Sequence, residues 1–263
     1  MPQPLKIVYH IAPDAASLAA RAAQHFVEQA ERAVAAGGRA RIAISGGSTP
    51  KAAFGLLADP NQPWRARMPW SKLDLWWVDE RCVPPDHPDS NYRMTHETML
   101  NHVPLEPEQI HRIAGELEPE AAAARYEAEL RGGFRLEGAE LPQFDLVQLG
   151  MGPDGHTASL FPHTQALSEL GRLAVANHVQ AKESWRVTLT RPVLNRAAQV
   201  FFLISGADKA QILKEVWMGP RDPERLPSQL IQPAGGILTL LVDRPAAALL
   251  PPAGADDCGE ILG

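Results

Sequence analysis

The sequence is poor in cysteine and contains neither a block of basic residues nor a long apolar run. Its 263 residues include only Cys82 and Cys258, which have no metal-ligand spacing and indicate no disulfide framework. The formal net charge is −6 at pH 7, which argues against a general nucleic-acid binder. No segment approaches the roughly 20 apolar residues that span a bilayer, and the first residues lack the apolar core of a signal peptide. We therefore expect a soluble, cytoplasmic protein without nucleic-acid or membrane partners.

The chain alternates short β-rich runs with helix-like stretches. This alternation predicts a three-layer α/β/α sandwich with a mainly parallel sheet. No repeat or flexible linker interrupts it, so we expect a single domain over residues 1–263. The predicted strands are 6–10, 41–45, 73–78, 110–114, 144–149, 186–190, 200–205 and 237–242. The predicted helices are 15–36, 91–100, 119–131, 208–217, one after the turn at 46–50, and a final Ala-rich helix.

Three predicted strands end in turns of small residues: SGGSTP (45–50), GMGPDGH (150–156) and SGADK (205–209). Ligands of parallel α/β sheets bind outside the carboxyl ends of the strands, so we expect these turns to face one crevice. In the first turn, Gly46 and Gly47 allow backbone amides to approach an anion, and Ser48 and Thr49 offer hydroxyls. The spacing is not that of a Walker loop. The alternative is an ordinary strand-to-helix turn with a polar cap.

Two basic residues lie close to the predicted crevice. Lys209 falls in the first turn of a predicted helix, where a cation is unfavourable for the helix dipole, and this indicates an anion nearby. Arg81 follows a predicted strand and offers a planar fork suited to phosphate or carboxylate. The alternatives are an exposed lysine and a local salt-bridge cluster of Arg81 with Asp79 and Glu80.

The stretch LGMGPDGHTASLFP (149–162) contains a G-x-G-x-x-G spacing. A dinucleotide loop is disfavoured because Asp154 would repel a pyrophosphate and no strand with a terminal acid follows at the required distance. His156 instead combines a strand end, a glycine-rich turn and a nearby carboxylate, which favours a general base partnered by Asp154. Neither a nucleophile elbow nor a zinc-ligand spacing accompanies it.

Taken together, these motifs resemble those of the 6-phosphogluconolactonases. The matching stretches, in family order over nearly the whole chain, are SGGSTP (45–50), DERCVPPDHPDSNYRM (79–94), LGMGPDGHTASLFP (149–162), WRVTLT (185–190), SGADKA (205–210), LPSQLIQP (226–233) and LLVDRPAAALL (240–250). The resemblance implies a modified Rossmann-like fold shared with glucosamine-6-phosphate deaminases and ribose-5-phosphate isomerases. It also implies hydrolysis of 6-phospho-D-glucono-1,5-lactone to 6-phosphogluconate without a cofactor or metal. By position, it makes His156 the general base with Asp154 and Gly152 beside it, and the substrate-binding residues Gly46, Gly47, Ser48, Thr49, Arg81, Arg186 and Lys209.

Two alternatives remain open at this point. Deaminase sequences resemble DGHIAFNEP where this chain has DGHTASLFP, so the deaminase glutamate falls on Phe161, which has no acid–base group. A non-catalytic sugar-phosphate sensor would have no need for His156. For the favoured function we expect a sugar-phosphate lactone as the small-molecule partner, and a monomer or weak homodimer.

Overall fold

A computed structural model describes residues 5–254 and 257–262 of the chain. The strands among these residues are β1 Lys6–Ala12, β2 Ala40–Ile44, β3 Leu73–Trp77, β4 Asp79–Arg81, β5 Ile110–His111, β6 Leu146–Leu149, β7 Ala174–Val179, β8 Ser184–Leu189, β9 Val200–Ile204, β10 Ile237–Asp243 and β11 Cys258–Leu262. The α-helices are α1 Ala15–Gly37, α2 Ser48–Ala58, α3 Pro63–Arg67, α4 Asn91–Thr98, α5 Pro119–Phe134, α6 Arg191–Arg196 and α7 Ala210–Met218.

The main sheet of the described residues has eight strands in the order β11-β1-β10-β9-β6-β2-β3-β5. Its neighbouring strands are parallel, except that β11 is antiparallel to β1. Successive side chains of β3 point to opposite faces: Trp76 packs near Tyr126 of α5, whereas Trp77 packs near Tyr92 of α4. The helices therefore cover both faces, and the predicted α/β sandwich with a mainly parallel sheet is confirmed.

The first helix begins and ends close to where the sequence predicts. Asp14 caps it, because its carboxylate accepts a 2.8 Å hydrogen bond from the amide of Ser17. At the other end Gly38 adopts a left-handed conformation, with φ of 80°, and donates to the carbonyl of Val34. The apolar side of α1, including the fully buried Leu18, packs into the core.

A second, three-stranded antiparallel sheet stands beside the main one, in the order β4-β8-β7. The strand predicted at 186–190 is present as β8, but its neighbours β4 and β7 were missed by the sequence analysis. Strand β4 follows β3 after a single residue, so the chain leaves the main sheet and enters the second one at the carboxyl end of β3. This brings Arg81 directly opposite Arg186 in the register of β4 and β8.

The predicted Ala-rich helix near the end of the chain is wrong. Residues Ala246–Leu249 form one 3-10 turn, and the chain then enters β11. Pro245 stands at the cap of that turn and Pro251 follows it closely, so only one turn of helix fits between them. The helix predicted at 208–217 also differs: it begins at Ala210, and a 3-10 turn, Ala207–Lys209, precedes it.

The order of the sheet places the three small-residue turns side by side. Strands β2, β6 and β9 are consecutive neighbours, so their carboxyl ends meet at one edge. The chain runs from β2 outward to β3 and β5, and then returns to place β6 on the other side of β2. A ligand crevice is expected at such a reversal of strand order. None of the described helices is both long and apolar enough to cross a bilayer.

Candidate active site

The carboxyl ends of β2, β6 and β9 surround a cleft of about 230 Å³. This volume lies slightly below the range of roughly 300–1,000 Å³ typical of pockets for drug-sized ligands. Every site residue predicted from the sequence lines it except Asp154. These lining residues are Gly46, Gly47, Ser48, Thr49, Arg81, Gly152, His156, Arg186 and Lys209.

The turn after β2 presents the amino end of α2 to the cleft. Helix α2 begins at Ser48, and its first-turn amides have no partner within the helix. Gly47, the N-cap residue, has φ of 116°, which L side chains rarely adopt. At Gly46 an added Cβ would lie 1.8 Å from Oδ1 of Asn91. Glycine is therefore needed at 47 for the backbone conformation and at 46 for lack of space beside Asn91. Together the two glycines leave backbone amides open to an anion.

Arg81 and Arg186 are cross-strand partners on the cleft wall. Like charges directly opposite each other destabilise a sheet, so this pairing does not contribute to the stability of the second sheet. Burial lowers the pKa of the Arg186 guanidinium, and the positive charge of Arg81 lowers it further against the opposing effect of Asp79. The Nε atoms of both arginines are buried without a hydrogen-bond partner.

Lys209 reaches the cleft from the turn after β9. Its ammonium lies 3.7 Å from the carboxylate of Asp208, and its side chain is only 20% exposed. The turn is held by Asp243 at the end of β10, whose carboxylate accepts from the amide of Gly206 at 3.1 Å and from the hydroxyl of Ser205. No local sequence pattern predicts this role of Asp243, because its partners Ser205 and Gly206 follow a different strand.

His156 lines the cleft from a tight turn, and Asp154 supports it from behind. Nδ1 of His156 lies 2.5 Å from Oδ1 of Asp154, and the His156 amide donates to the same oxygen at 3.2 Å. An added Cβ at Gly152 would lie 2.1 Å from the imidazole, so the ring packs over backbone that only glycine leaves free. Burial raises the pKa of the Asp154 carboxyl, but the hydrogen bond and charge of His156 outweigh burial and leave that pKa below its ordinary value.

Four polar residues that line the cleft, Ser45, Asp79, Asn91 and Ser205, were not predicted as site residues. Asp79 is buried, and its Oδ2 accepts a 2.7 Å hydrogen bond from the hydroxyl of Ser159. Asn91 donates from Nδ2 to the Asp79 carbonyl at 3.0 Å and to its carboxylate at 3.3 Å. The sequence held a signal for Asp79, which follows the end of β3 by two residues. Asn91 lies within the matching stretch 79–94, but no local pattern gave it a role, because it meets the cleft only where α4 folds back onto β4.

Glu80 fixes the position of β4, the strand that carries Arg81. Its carboxylate accepts from the amides of Asn91 and Tyr92 at 2.7 Å each and from the hydroxyl of Ser90 at 3.1 Å. Burial raises the pKa of Glu80 in spite of these hydrogen bonds. Glu80 therefore joins β4 to the start of α4, and it is structural rather than ligand-facing. Within the described parts of the chain, no group of three or more His, Cys, Asp or Glu side chains is arranged to hold a metal ion.

Comparison with known proteins agrees with this geometry. The family model described as "Glucosamine-6-phosphate isomerases/6-phosphogluconolactonase" matches residues 13–240. The chain belongs to this family. A protein of Synechocystis sp. named 6-phosphogluconolactonase is 41% identical over 221 residues, which cover 84% of this chain and 89% of that protein.

Solved structures of family members have the same fold. The 6-phosphogluconolactonase from Trypanosoma cruzi superposes with a TM-score of 0.79 at 28% identity, covering 95% of this chain and 98% of that one. A monomeric glucosamine-6-phosphate deaminase superposes with a TM-score of 0.75 at 20% identity, covering 92% of this chain and 99% of that one. The second similarity shows the fold alone. Membership of the family and the modified Rossmann-like fold, both implied by the motifs, are confirmed.

Proposed function

We propose that this protein hydrolyses 6-phospho-D-glucono-1,5-lactone to 6-phospho-D-gluconate, with His156 as the general base. One observation carries the proposal: the imidazole of His156 and a convergent set of anion-binding groups line the same small cleft. The relatives named 6-phosphogluconolactonase support the choice of substrate.

The phosphate end of the substrate is held away from the reacting carbon. The first amides of α2, the ammonium of Lys209 and the guanidinium of Arg81, which all line the cleft, supply the donors and positive charge that hold it. Arg186, opposite Arg81 in the sheet, orients the sugar or shares the phosphate. Binding energy from this remote group positions the lactone carbonyl for attack.

His156 then transfers the proton. With Nδ1 engaged by the Asp154 carboxylate, Nε2 is the nitrogen left to accept a proton from water. The water oxygen forms a bond to C1, and the bond between C1 and the ring oxygen breaks. The imidazolium returns its proton to that ring oxygen, which becomes a hydroxyl. The new carboxylic acid ionises at neutral pH, and Asp154 stabilises the imidazolium in between.

The neighbourhood of His156 favours hydrolysis over deamination of an amino sugar. Phe161 lies against the imidazole, at the position where the sequence comparison places the deaminase glutamate. A hydrocarbon ring supplies no proton for the isomerisation that deamination requires, whereas lactone hydrolysis needs one base and one water.

A pH-stat assay tests the proposal directly. Acid release from freshly prepared 6-phosphogluconolactone is followed for the wild type and for His156→Ala, each corrected for spontaneous hydrolysis. We expect the wild type to accelerate the reaction and His156→Ala to lower kcat by roughly 10²–10⁴ with KM largely kept. A wild type that does not exceed the spontaneous rate would refute the function. A near-normal kcat in the variant would refute only the role of His156.

A further inference from the structure

Phe161 contacts two residues of the cleft at once. Its ring stacks on the imidazole of His156, with ring centroids 3.8 Å apart and an angle of 21° between the planes. The guanidinium carbon of Arg186 lies 5.1 Å from the centroid of the same ring. Phe161 is itself only 3% exposed. One buried side chain therefore contacts both the proposed base and an arginine of the anion-binding wall.

The backbone between His156 and Phe161 folds back to make this stacking possible. Thr157 and Leu160 form an isolated antiparallel bridge, and the Leu160 amide donates to the Thr157 carbonyl at 2.9 Å. At the tip of the turn Ala158 has φ of 48°, in the left-handed region that non-glycine residues seldom adopt. The two residues that flank the bridge are His156 and Phe161, and the turn brings their rings together.

The same turn is fixed to its surroundings by Ser159. The Ser159 hydroxyl donates to Asp79 at 2.7 Å, and its amide donates to the hydroxyl of Thr188 on β8 at 3.2 Å. Its carbonyl accepts from the side-chain amide of Asn177 on β7 at 2.8 Å. Phe161 therefore rests on a turn tied to the second sheet, which also carries Arg186.

Asp154 contacts the edge of the His156 ring, and Phe161 contacts its face. Asp154 holds one edge of the His156 ring through Nδ1, and the ring packs over the backbone of Gly152. The Phe161 ring stacks on one face of the imidazole and so limits its rotation about the Cβ–Cγ bond. Arg186 has a buried Nε without a hydrogen-bond partner, so the aromatic face is a principal support of its guanidinium.

We infer that Phe161 is a positioning residue that sets the plane of the His156 imidazole and the place of the Arg186 guanidinium relative to each other. This inference rests on the proposed function for its kinetic consequences, although the packing itself does not. Because one ring supports both side chains, its removal is expected to change kcat through His156 and KM through Arg186.

Kinetics of matched variants test the inference. Phe161→Leu and Phe161→Met remove the ring while keeping an apolar side chain, and Phe161→Tyr keeps the ring. Phe144→Leu is the control, since Phe144 is equally buried but lies just before β6, at the opposite end of that strand from His156. Misplacement by about 1 Å costs up to 10² in rate, so we expect the ring-free variants to lose about tenfold or more in kcat and to gain about tenfold in KM. Phe161→Tyr should stay within about threefold of the wild type, and Phe144→Leu should lower the Tm without changing either constant.

Nuclear magnetic resonance gives a readout that does not need turnover. A ring stacked at 3.8 Å shifts the His156 side-chain protons upfield, and His156→Gln identifies their signals. We expect the shift to persist in Phe161→Tyr and to vanish in the two ring-free variants, with weaker binding of 6-phosphogluconate in the latter.

The outcomes separate this inference from the proposed function. A folded Phe161→Leu or Phe161→Met variant with kcat and KM within twofold of the wild type would overturn it, as would a His156 signal that does not move when the ring is removed. If the wild type shows no lactonase activity, the proposed function fails. The His156 signal and 6-phosphogluconate binding would then still decide the role of Phe161.

Discussion

Nδ1 of His156 lies 2.5 Å from a carboxylate oxygen of Asp154, and Asp154 itself does not line the cleft. In the proposed mechanism the carboxylate therefore acts on the base and not on the ligand. There it fixes which imidazole nitrogen carries the proton, and it stabilises the imidazolium that forms when water is deprotonated. The two residues are separated by only Gly155, so the turn alone is sufficient to bring them together.

Asp154→Asn tests this relationship. The amide keeps the size of the side chain but removes the negative charge, so we expect kcat to fall by at least roughly 10–100-fold, the range found when a metal-bound histidine loses the partner that orients it. KM should change little, because Asp154 does not reach the ligand. The measurement is steady-state hydrolysis in the pH-stat. A large rise in KM with unchanged kcat would show that Asp154 binds substrate instead.

Lys209→Met removes a charge from the cleft while keeping most of the apolar stem. A hydrogen bond to a charged group contributes about 1.5–3 kcal/mol, so we expect KM for the phosphorylated lactone to rise by roughly 10–150-fold with a smaller effect on kcat. Lys214→Met is the control, since Lys214 is an exposed lysine on α7, five residues further along. An unchanged KM in Lys209→Met would exclude Lys209 as a phosphate ligand.

Gly46→Ala is expected to damage the cleft although it adds only one methyl group. Its Cβ would lie 1.8 Å from Oδ1 of Asn91, so the Asn91 side chain must move and its hydrogen bonds to Asp79 are lost. We expect a loss of about 1–3 kcal/mol in the free energy of unfolding, together with a reduced kcat/KM. At Gly55 in α2 an added Cβ meets only Thr98, at an ordinary 3.8 Å. Gly55→Ala should therefore stabilise the protein by about 0.5–1 kcal/mol, and equal effects of the two variants in urea unfolding would contradict this account.

Because His25 is largely buried, we expect the free energy of unfolding to fall in acid. Burial lowers its pKa from 6.5 to about 4, against the smaller effect of Glu28, and its ring packs edge-on against Phe201 at 4.9 Å. Since the unfolded chain binds this proton more tightly than the folded chain, the stabilisation is present above pH 6.5 and is lost as the pH falls towards 4. The full loss is about 3 kcal/mol.

His25→Leu tests whether protonation of His25 causes this loss of stability in acid. The leucine does not titrate, so its free energy of unfolding should fall less steeply between pH 6.5 and 4 than that of the wild type. Urea unfolding at several pH values measures both curves. Curves that stay parallel through this range would mean that other groups cause the loss.

Much of the main sheet could be predicted because its signals are local. The apolar runs that became β2, β6 and β9 end in glycine-rich turns, and both features are legible in a few consecutive residues. The final helix was mispredicted because the local signal of its alanines outweighed that of the flanking prolines. Alanine favours helix, but the prolines on either side of Ala246–Leu249 allow only one turn. The one-domain organisation and the monomeric or weakly dimeric state remain predictions.

The candidate site also combines features that local sequence determines with features that depend on the tertiary structure. The sequence by itself determined which residue types stand at the strand ends: the glycines and hydroxyls at 46–49, the Asp154 and His156 pair, and Lys209. Only the tertiary structure decided that Arg81 stands opposite Arg186, that Asp79 and Asn91 complete the cleft wall, and that Phe161 lies on His156. The physical reason is the distance along the chain over which each of these interactions acts. Turn chemistry and strand period act over a few residues, whereas register in the second sheet depends on segments far apart in the chain. His156 and Phe161 are only five residues apart, but the turn that stacks their rings is fixed by hydrogen bonds of Ser159 to Asp79 and Thr188, which are distant in the chain.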